Sequence, residues 1–189
     1  MSTDRGRQID DETVTAMQAC ITHARALLES ARAVQAAGHH NIAYHLASLA
    51  LEEIGRRELI PIQALASKRA IPPAWPEKHT QDHIKKLFWC FFGGSFLYDR
   101  ISGKRLEEFS ALAERIHLTR IAGLYVDKGE DILNVPQQAV SPEECDWLLR
   151  LVTARLDMAE SETMRDHIPE DEVELQTWFL TATEDCEKR

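Results

Sequence analysis

The sequence has few of the features that mark secreted, membrane or zinc proteins. The four cysteines (Cys20, Cys90, Cys145 and Cys186) are far apart and form no C-x-x-C pair, which argues against a zinc site or a disulfide framework. The longest unbroken apolar run covers only residues 87–92, far less than a membrane span requires. The polar N-terminus, MSTDRGRQIDDE, has no apolar segment of the signal-peptide type. We therefore expect a cytoplasmic protein with reduced thiols.

Motifs for cofactors and metals are also missing. The sequence contains no glycine-rich phosphate loop, nucleophile elbow, redox motif or DNA-specific motif. His79 and His83 have the i, i+4 spacing of a helical metal pair, but Thr80 as a helix N-cap would leave His79 outside the helix, and no acidic third ligand is obvious. We expect neither a metal nor a cofactor.

The acidic charge is concentrated at one end of the chain. The net charge is −9, which on its own argues against binding a phosphate backbone. Residues 83–128 nevertheless carry 8 basic and 5 acidic side chains, whereas residues 129–189 carry 5 basic and 16 acidic ones. RNA binding by the middle of the chain is therefore permitted, and a solvated acidic surface explains the C-terminal third.

Apolar residues near the N-terminus recur every three or four positions, as in an amphipathic helix. We predict a first helix whose buried stripe runs from Val14 to Ala31 and which Gly38 caps. An Ala- and Leu-rich second helix is predicted from Asn41 to Ile60, where Pro61 kinks or stops it.

Further helices are predicted beyond a proline-rich loop over residues 68–78. Thr80 or Asp82 caps the third, which is interrupted or ended at residues 93–94. Its aromatic residues are predicted to form core or dimer interface: Phe88, Trp89, Phe91 and Phe92. A fourth helix is predicted over residues 106–116, followed by a loop that ends at Pro136. The next helix begins at Ser141-Pro142, and a last short helix covers residues 173–180. No strand-length alternating run or repeat is present, so the predicted fold class is all-α.

A polar stripe on the second helix is the main candidate site. On a helical wheel, Asn41, His45, Ser48, Glu52 and Arg56 fall within about 80° of one another, and most of the remaining surface is apolar.

Glu53 and Arg57 fall inside the apolar arc of the same helix. A buried carboxylate needs a counterion, and Arg57 at i+4 is the nearest candidate for Glu53. Two interpretations stay open, a structural ion pair and a part of a functional site.

Residues 23–60 contain a predicted helix that ends near a glycine, followed by the sequence pattern A-x-x-L-A-x-x-A-x-E-E-x-G-K. The residues that match it are Ala43, Leu46, Ala47, Ala50, Glu52, Glu53 and Gly55, with Arg56 in place of the usual Lys. Two later segments follow in the same order, His83 with Lys86 in DHIKKL, and GLYVD (residues 123–127) after Arg120. Over about residues 20–130, this pattern resembles the AbiV family of abortive-infection proteins in the HEPN superfamily.

The resemblance implies an up-and-down four-helix bundle, here over residues 1–135. An acidic helical extension over residues 136–189 would pack on or beside the same domain. It also implies a homodimer with a polar site where two protomers meet. Many HEPN proteins are metal-independent ribonucleases with the motif R-x(4–6)-H, in which Arg stabilises phosphoryl charge and His moves a proton during attack by the RNA 2′-OH.

The chain departs from that motif at the expected place. Arg120 is followed at the motif spacing by Tyr125, and a phenol is a poor general base at neutral pH, although it can position a phosphate or act as an acid. His83 is the best substitute proton carrier, with a surface or capping role as the alternative. Arg32 and His39 have a similar spacing but straddle the end of the first helix, and we treat that match as coincidence.

The resemblance predicts an anti-phage effector, a homodimeric toxin that arrests translation or growth, with RNA cleavage as its mechanism. The candidate catalytic residues are Arg120, Tyr125, His83 and Glu53, and the candidate binding residues are Glu52, Arg56, Lys86, Asp127 and His45. One alternative is a non-catalytic module that inhibits a phage or host protein by binding it. Another is a helical bundle in which Glu53–Arg57 is only a structural ion pair.

Overall fold

Helices account for nearly all of the structure, a computed structural model that describes residues 7–68, 82–95, 103–128, 133–161 and 167–168. The helices are α1 (Asp11–Ala36), α2 (His40–Lys68), α3 (His83–Ser95), α4 (Gly103–Ala122), α5 (Pro136–Ala139) and α6 (Pro142–Ser161). Two-residue strands form two antiparallel pairs, β1 (Arg7–Gln8) with β4 (His167–Ile168) and β2 (Asp127–Lys128) with β3 (Leu133–Asn134). The predicted all-α class is confirmed. Among the described helices, none is both long and apolar enough to cross a bilayer.

The first two helices form an antiparallel hairpin whose ends are set by local hydrogen bonds. Asp10 caps α1, since its Oδ1 accepts a hydrogen bond from the Thr13 backbone N–H at 2.8 Å. Gly38 adopts a φ of 84°, which favours glycine, and its N–H donates to the Gln35 carbonyl at 2.8 Å. The predicted role of Gly38 at the end of the first helix is confirmed.

The second helix is longer than predicted. It passes through Pro61 and continues to Lys68, so of the two predicted alternatives at Pro61, a kink or a stop, the stop near Ile60 is wrong. A proline inside a helix costs about 3 kcal/mol because it removes a hydrogen bond and crowds the preceding turn. Leu59 and Ile62 flank the proline and are buried against Trp89 and Phe92 of α3, and this apolar burial offsets the cost.

Asp82 caps the N-terminus of α3, which confirms one of the two predicted caps. Its Oδ1 accepts hydrogen bonds from the backbone N–H groups of Ile84 at 2.9 Å and Lys85 at 3.1 Å. The helix includes Gly93 and Gly94, so the pair does not interrupt it before Ser95. The other predicted cap, Thr80, lies outside the described residues, as do His79, most of the predicted loop over residues 68–78, and the predicted helix over residues 173–180.

Helix α2 lies at the centre of the bundle and packs against α1, α3, α4 and α6. The main apolar core contains residues from α1, α2, α3, α4 and α6, among them Leu28, Leu51, Leu87, Ile116 and Leu148. Helix α6 therefore shares one core with the preceding helices, although it belongs to the region predicted as an extension from residue 136. The predicted loop before it contains the β2–β3 pair and ends where Pro136 begins α5.

A glycine permits the closest approach of α2 to α3. A Cβ atom at Gly55 would lie 1.8 Å from the backbone carbonyl oxygen of Lys86, a distance at which backbone must move. Only glycine therefore fits where these helices cross, and Gly55 is the glycine of the E-E-x-G motif. At Gly93, by contrast, the three atoms nearest to an added Cβ atom all belong to the side chain of Glu58, and the nearest is 2.4 Å away.

The substitution Gly55→Ala is expected to lower the free energy of unfolding by at least about 2 kcal/mol, because α3 must move away from α2. The matched control Gly93→Ala should change it by no more than about 1 kcal/mol, since a flexible side chain can yield and alanine favours the helix. Urea unfolding followed by circular dichroism measures both. Equal stability of the two variants would contradict the proposed helix crossing.

Candidate functional site

A buried carboxylate lies where α2, α3 and α4 meet. Glu52 is 2% exposed. Its Oε1 accepts a hydrogen bond from Nη1 of Arg120, and its Oε2 is 2.8 Å from both Nζ of Lys86 and Nδ1 of His83. One side chain of α2 thus binds three donors from two other helices.

Local structure places each of these groups. His83 and Lys86 are in the first turn of α3, whose start is fixed by the Asp82 cap, and Arg120 is in the last turn of α4. The end of α4 is tied to the start of α2, because the buried Asn41 side chain donates from Nδ2 to the Gly123 carbonyl at 2.8 Å. The three helices therefore hold the donors around Glu52 from fixed positions.

The buried part of the site has more positive than negative charge. Arg120 and Lys86 are 4% and 7% exposed, and both are cations paired to the single carboxylate of Glu52. Buried Nε of Arg120 and buried Nδ1 of His45 have no hydrogen-bond partner within the described part of the chain. A site with surplus positive charge attracts an anion.

Two histidines form the side of the site that reaches solvent. His117 lies one turn before Arg120 on α4, and its Nδ1 is 3.1 Å from Nη2 of Arg120. Its ring stacks on that of His83, with centroids 6.0 Å apart and planes inclined by 25°. The side chain of His83 is 49% exposed, and that of His117 is partly buried. A molecule approaching from solvent would meet these imidazoles before the buried cations.

The protonation equilibria of two histidines are displaced towards the neutral form. Burial, and then the Arg120 guanidinium, lower the pKa of His117 below its ordinary value. Burial and Arg120 likewise lower the pKa of His45, against a smaller opposing effect of Glu52. Both imidazoles therefore lose their proton more readily than an exposed histidine, and in the neutral form each can accept or donate a hydrogen bond.

The structure brings together four of the residues predicted from the sequence, namely Glu52, His83, Lys86 and Arg120. His45 lies close enough to feel the charges of Arg120, Glu52 and His83, but its ring is on the inner side of the cluster. These residues come from three helices and far-separated parts of the chain.

Glu53 and Arg56 lie outside this cluster. Glu53 pairs with Arg56 at i+3, with Oε1 and Nη1 3.5 Å apart, and its side chain is 18% exposed. Arg57 instead pairs with the adjacent Glu58, with Nη1 and Oε1 2.6 Å apart. The predicted Glu53–Arg57 pair is therefore wrong. The reason is that the polar stripe containing Glu52 faces α3 and α4, so the more deeply buried acid is Glu52.

The GLYVD segment follows α4 at the protein surface. The side chain of Tyr125 is 61% exposed and that of Val126 is 72% exposed, whereas Arg120 is buried. Asp127 begins β2, and only its backbone is among the described parts of the structure.

Sequence reasoning missed His117, which makes the closest contact between an imidazole and Arg120. The R-x(4–6)-H pattern places the histidine after the arginine, and here His117 precedes it in the segment H-L-T-R. The i, i+3 spacing of His117 and Arg120 puts both on one helical face and was the available signal.

The all-helical bundle holds an arginine–histidine cluster between its helices, and a family model of the HEPN class matches the chain. The family model of AbiV within that class matches residues 12–157, and the chain belongs to the AbiV family. The matched region runs from the start of α1 into the last turns of α6 and includes every residue of the Glu52 cluster. Comparisons with curated proteins and with solved structures gave no match.

Two adjacent acids on α2 provide a matched test of the cluster. Glu52→Gln is expected to lower the free energy of unfolding by about 3 kcal/mol, because it leaves two buried cations without their carboxylate. Glu53→Gln removes a partly exposed pair and should cost less than about 1 kcal/mol. Chemical denaturation measures both losses. A loss at Glu53 equal to that at Glu52 would contradict the assignment of Glu52 as the central acid.

Proposed function

We propose that this chain is an abortive-infection effector that acts in the cytoplasm during phage attack. In this proposal it arrests translation or growth by cleaving RNA at the Glu52 cluster, without a metal ion. Membership of the AbiV family supports the role in defence. The chemistry of the cluster supports the mechanism.

The observation that carries the proposal is a fixed guanidinium beside two accessible imidazoles. Glu52 holds Arg120 from within the bundle, while His83 and His117 lie on the solvent side. RNA supplies its own nucleophile, the 2′-OH, so cleavage needs a proton acceptor and positive charge near the phosphoryl oxygens. The histidines offer the first, and Arg120 with Lys86 offers the second.

The predicted site residues take different parts in this proposal. His83 and His117 would touch the phosphodiester, Arg120 and Lys86 would add positive charge behind them, and Glu52 would act as a positioning residue. Tyr125 is exposed beyond α4, where it would contact a neighbouring part of the RNA. Glu53 and Arg56 would contribute to the stability of α2 around the site.

His83→Ala is expected to lower RNA cleavage by the purified protein at least about 100-fold, as loss of a proton-transfer group does. It should also remove protection of bacteria in a phage plaque assay. The control His23→Ala removes an exposed histidine of α1 and should retain both activities. If the wild-type protein protects cells while ribosomal, transfer and messenger RNA all stay intact, RNA cleavage is not its mechanism.

A non-catalytic binding module is the second candidate function. An exposed apolar stripe favours it, defined by Ile42, Leu118, Ile121, Tyr125 and Val126. Four of these residues are near the C-terminal end of α4 or follow it, and Ile42 is near the start of α2; exposed apolar patches mark interaction surfaces. Protection of cells without any RNA cleavage would favour this function.

The apolar stripe also supports the homodimer that the family resemblance implies. We assign it to a second copy of this chain.

Leu118→Asp is expected to convert a dimer into a monomer in sedimentation velocity, because it places a charge in the apolar interface. The control Ala154→Asp adds the same charge at an exposed position of α6 and should leave the dimer intact. A wild-type protein that sediments as a monomer at all concentrations tested would rule out this interface.

A further inference from the structure

We propose that His83 and His117 hold opposite tautomers and divide the chemistry of RNA cleavage between them. His83 accepts the proton of the 2′-OH at its Nε2, and His117 donates a hydrogen bond from its Nε2 to a phosphoryl oxygen. This assignment rests on the proposed function for its substrate, but the tautomers themselves follow from the contacts of the two rings.

The tautomer of His83 is set by Glu52. A carboxylate held between two cations can only accept hydrogen bonds, and its Oε2 is 2.8 Å from Nδ1 of His83. Nδ1 of His83 must therefore carry the proton, which leaves the lone pair of the neutral ring on Nε2. Because the side chain is 49% exposed, that lone pair can reach a substrate hydroxyl. A carboxylate that orients an imidazole in this way also stabilises the imidazolium formed by proton transfer.

The tautomer of His117 is set by Arg120. A guanidinium can only donate hydrogen bonds, and its Nη2 is 3.1 Å from Nδ1 of His117. Nδ1 of His117 must therefore accept, so the proton of the neutral ring is on Nε2. Protonating Nδ1 would remove this hydrogen bond and place a second cation against Arg120. His117 is thus suited to remain neutral and to donate from Nε2, as a neutral imidazole does towards a developing oxyanion.

The helices around the two imidazole rings, α2, α3 and α4, each place charged or titratable groups near them. The titratable and charged groups that face them are Glu52 and His45 from α2, Asp82 and Lys86 from α3, and Arg120 from α4. Glu52 is the acid in hydrogen-bond contact with His83, and Arg120 is the cation in hydrogen-bond contact with His117. Within the described residues, neither ring uses its Nε2 in a hydrogen bond.

The proposed reaction balances without a co-reactant. The 2′-OH proton moves to Nε2 of His83 as the 2′-oxygen forms a bond to phosphorus and the bond from phosphorus to the 5′-oxygen breaks. The leaving 5′-oxygen takes a proton from solvent, and His83 later returns its proton to solvent. The products are a 2′,3′-cyclic phosphate and a 5′-hydroxyl end. Arg120, Lys86 and Nε2–H of His117 stabilise the negative charge on the phosphoryl oxygens throughout.

Nitrogen-15 NMR of the imidazoles tests the tautomers directly and needs no enzymatic activity. Long-range proton–nitrogen spectra at pH 7.5 distinguish protonated from unprotonated ring nitrogens, and the variants His83→Gln and His117→Gln assign the signals. The neutral ring of His83 is expected to carry its proton on Nδ1 and that of His117 on Nε2. The same tautomer on both rings, or the reverse pair, would overturn the proposal whether or not the protein cleaves RNA.

The pH dependence of kcat/KM on a short RNA tests the division of roles. A reaction that needs an unprotonated base loses activity at acidic pH, so the wild-type profile should have an acidic limb. His83→Gln should lose at least about 100-fold of activity together with that acidic limb. His117→Gln, whose amide N–H can replace the donor, should keep the limb and lose less activity than His117→Ala, while His23→Gln serves as the unaffected control.

The two failures are distinguishable. If His117→Gln abolishes the acidic limb and His83→Gln preserves it, the roles are reversed and the proposal is overturned, although RNA cleavage stands. If the wild-type protein leaves RNA intact, the proposed function fails, and the NMR measurement still decides the tautomers.

Discussion

The structure depends on one constraint, the need to satisfy a carboxylate buried inside a helical bundle. Glu52 is almost fully removed from water, and an isolated charge in that position would be very costly. Arg120, Lys86 and His83 supply the partners, each from a helix that packs on α2. The requirement fixes the approach and register of α3 and α4 relative to α2. It therefore specifies a geometry, which is the best attested use of buried ionic groups.

The same contacts that stabilise the bundle also prepare the chemistry. Glu52 neutralises part of the buried positive charge and orients His83, while Arg120 orients His117 on the neighbouring helix. The close crossing at Gly55 places the first turn of α3, and with it His83 and Lys86, within reach of Glu52. Stability and function thus share residues, so substitutions at the centre of the cluster affect both. The solvent-facing histidines are the positions at which the two can be separated.

The periodicity of apolar residues was sufficient to predict the helices. The order of the motifs along the chain was sufficient to recognise the family resemblance and to name most residues of the cluster. The sequence did not reveal which of two adjacent acids is central, since Glu52 and Glu53 differ by 100° around α2 and only the positions of α3 and α4 decide which side is buried. His117 was missed because the motif considered places histidine after arginine. Helix α2 continues past Pro61 because apolar burial on both sides outweighs the local cost, and this effect depends on α3.

A double-mutant cycle between Glu52 and Arg120 tests the central claim most directly. It requires the free energies of unfolding of the wild-type protein, Glu52→Gln, Arg120→Gln and the double variant, since neighbouring partners show coupling that distant residues lack. If Glu52 organises the bundle through Arg120, the coupling energy should exceed about 2 kcal/mol. Additive losses, within about 0.5 kcal/mol, would show that the two side chains do not form a buried pair and would contradict the account.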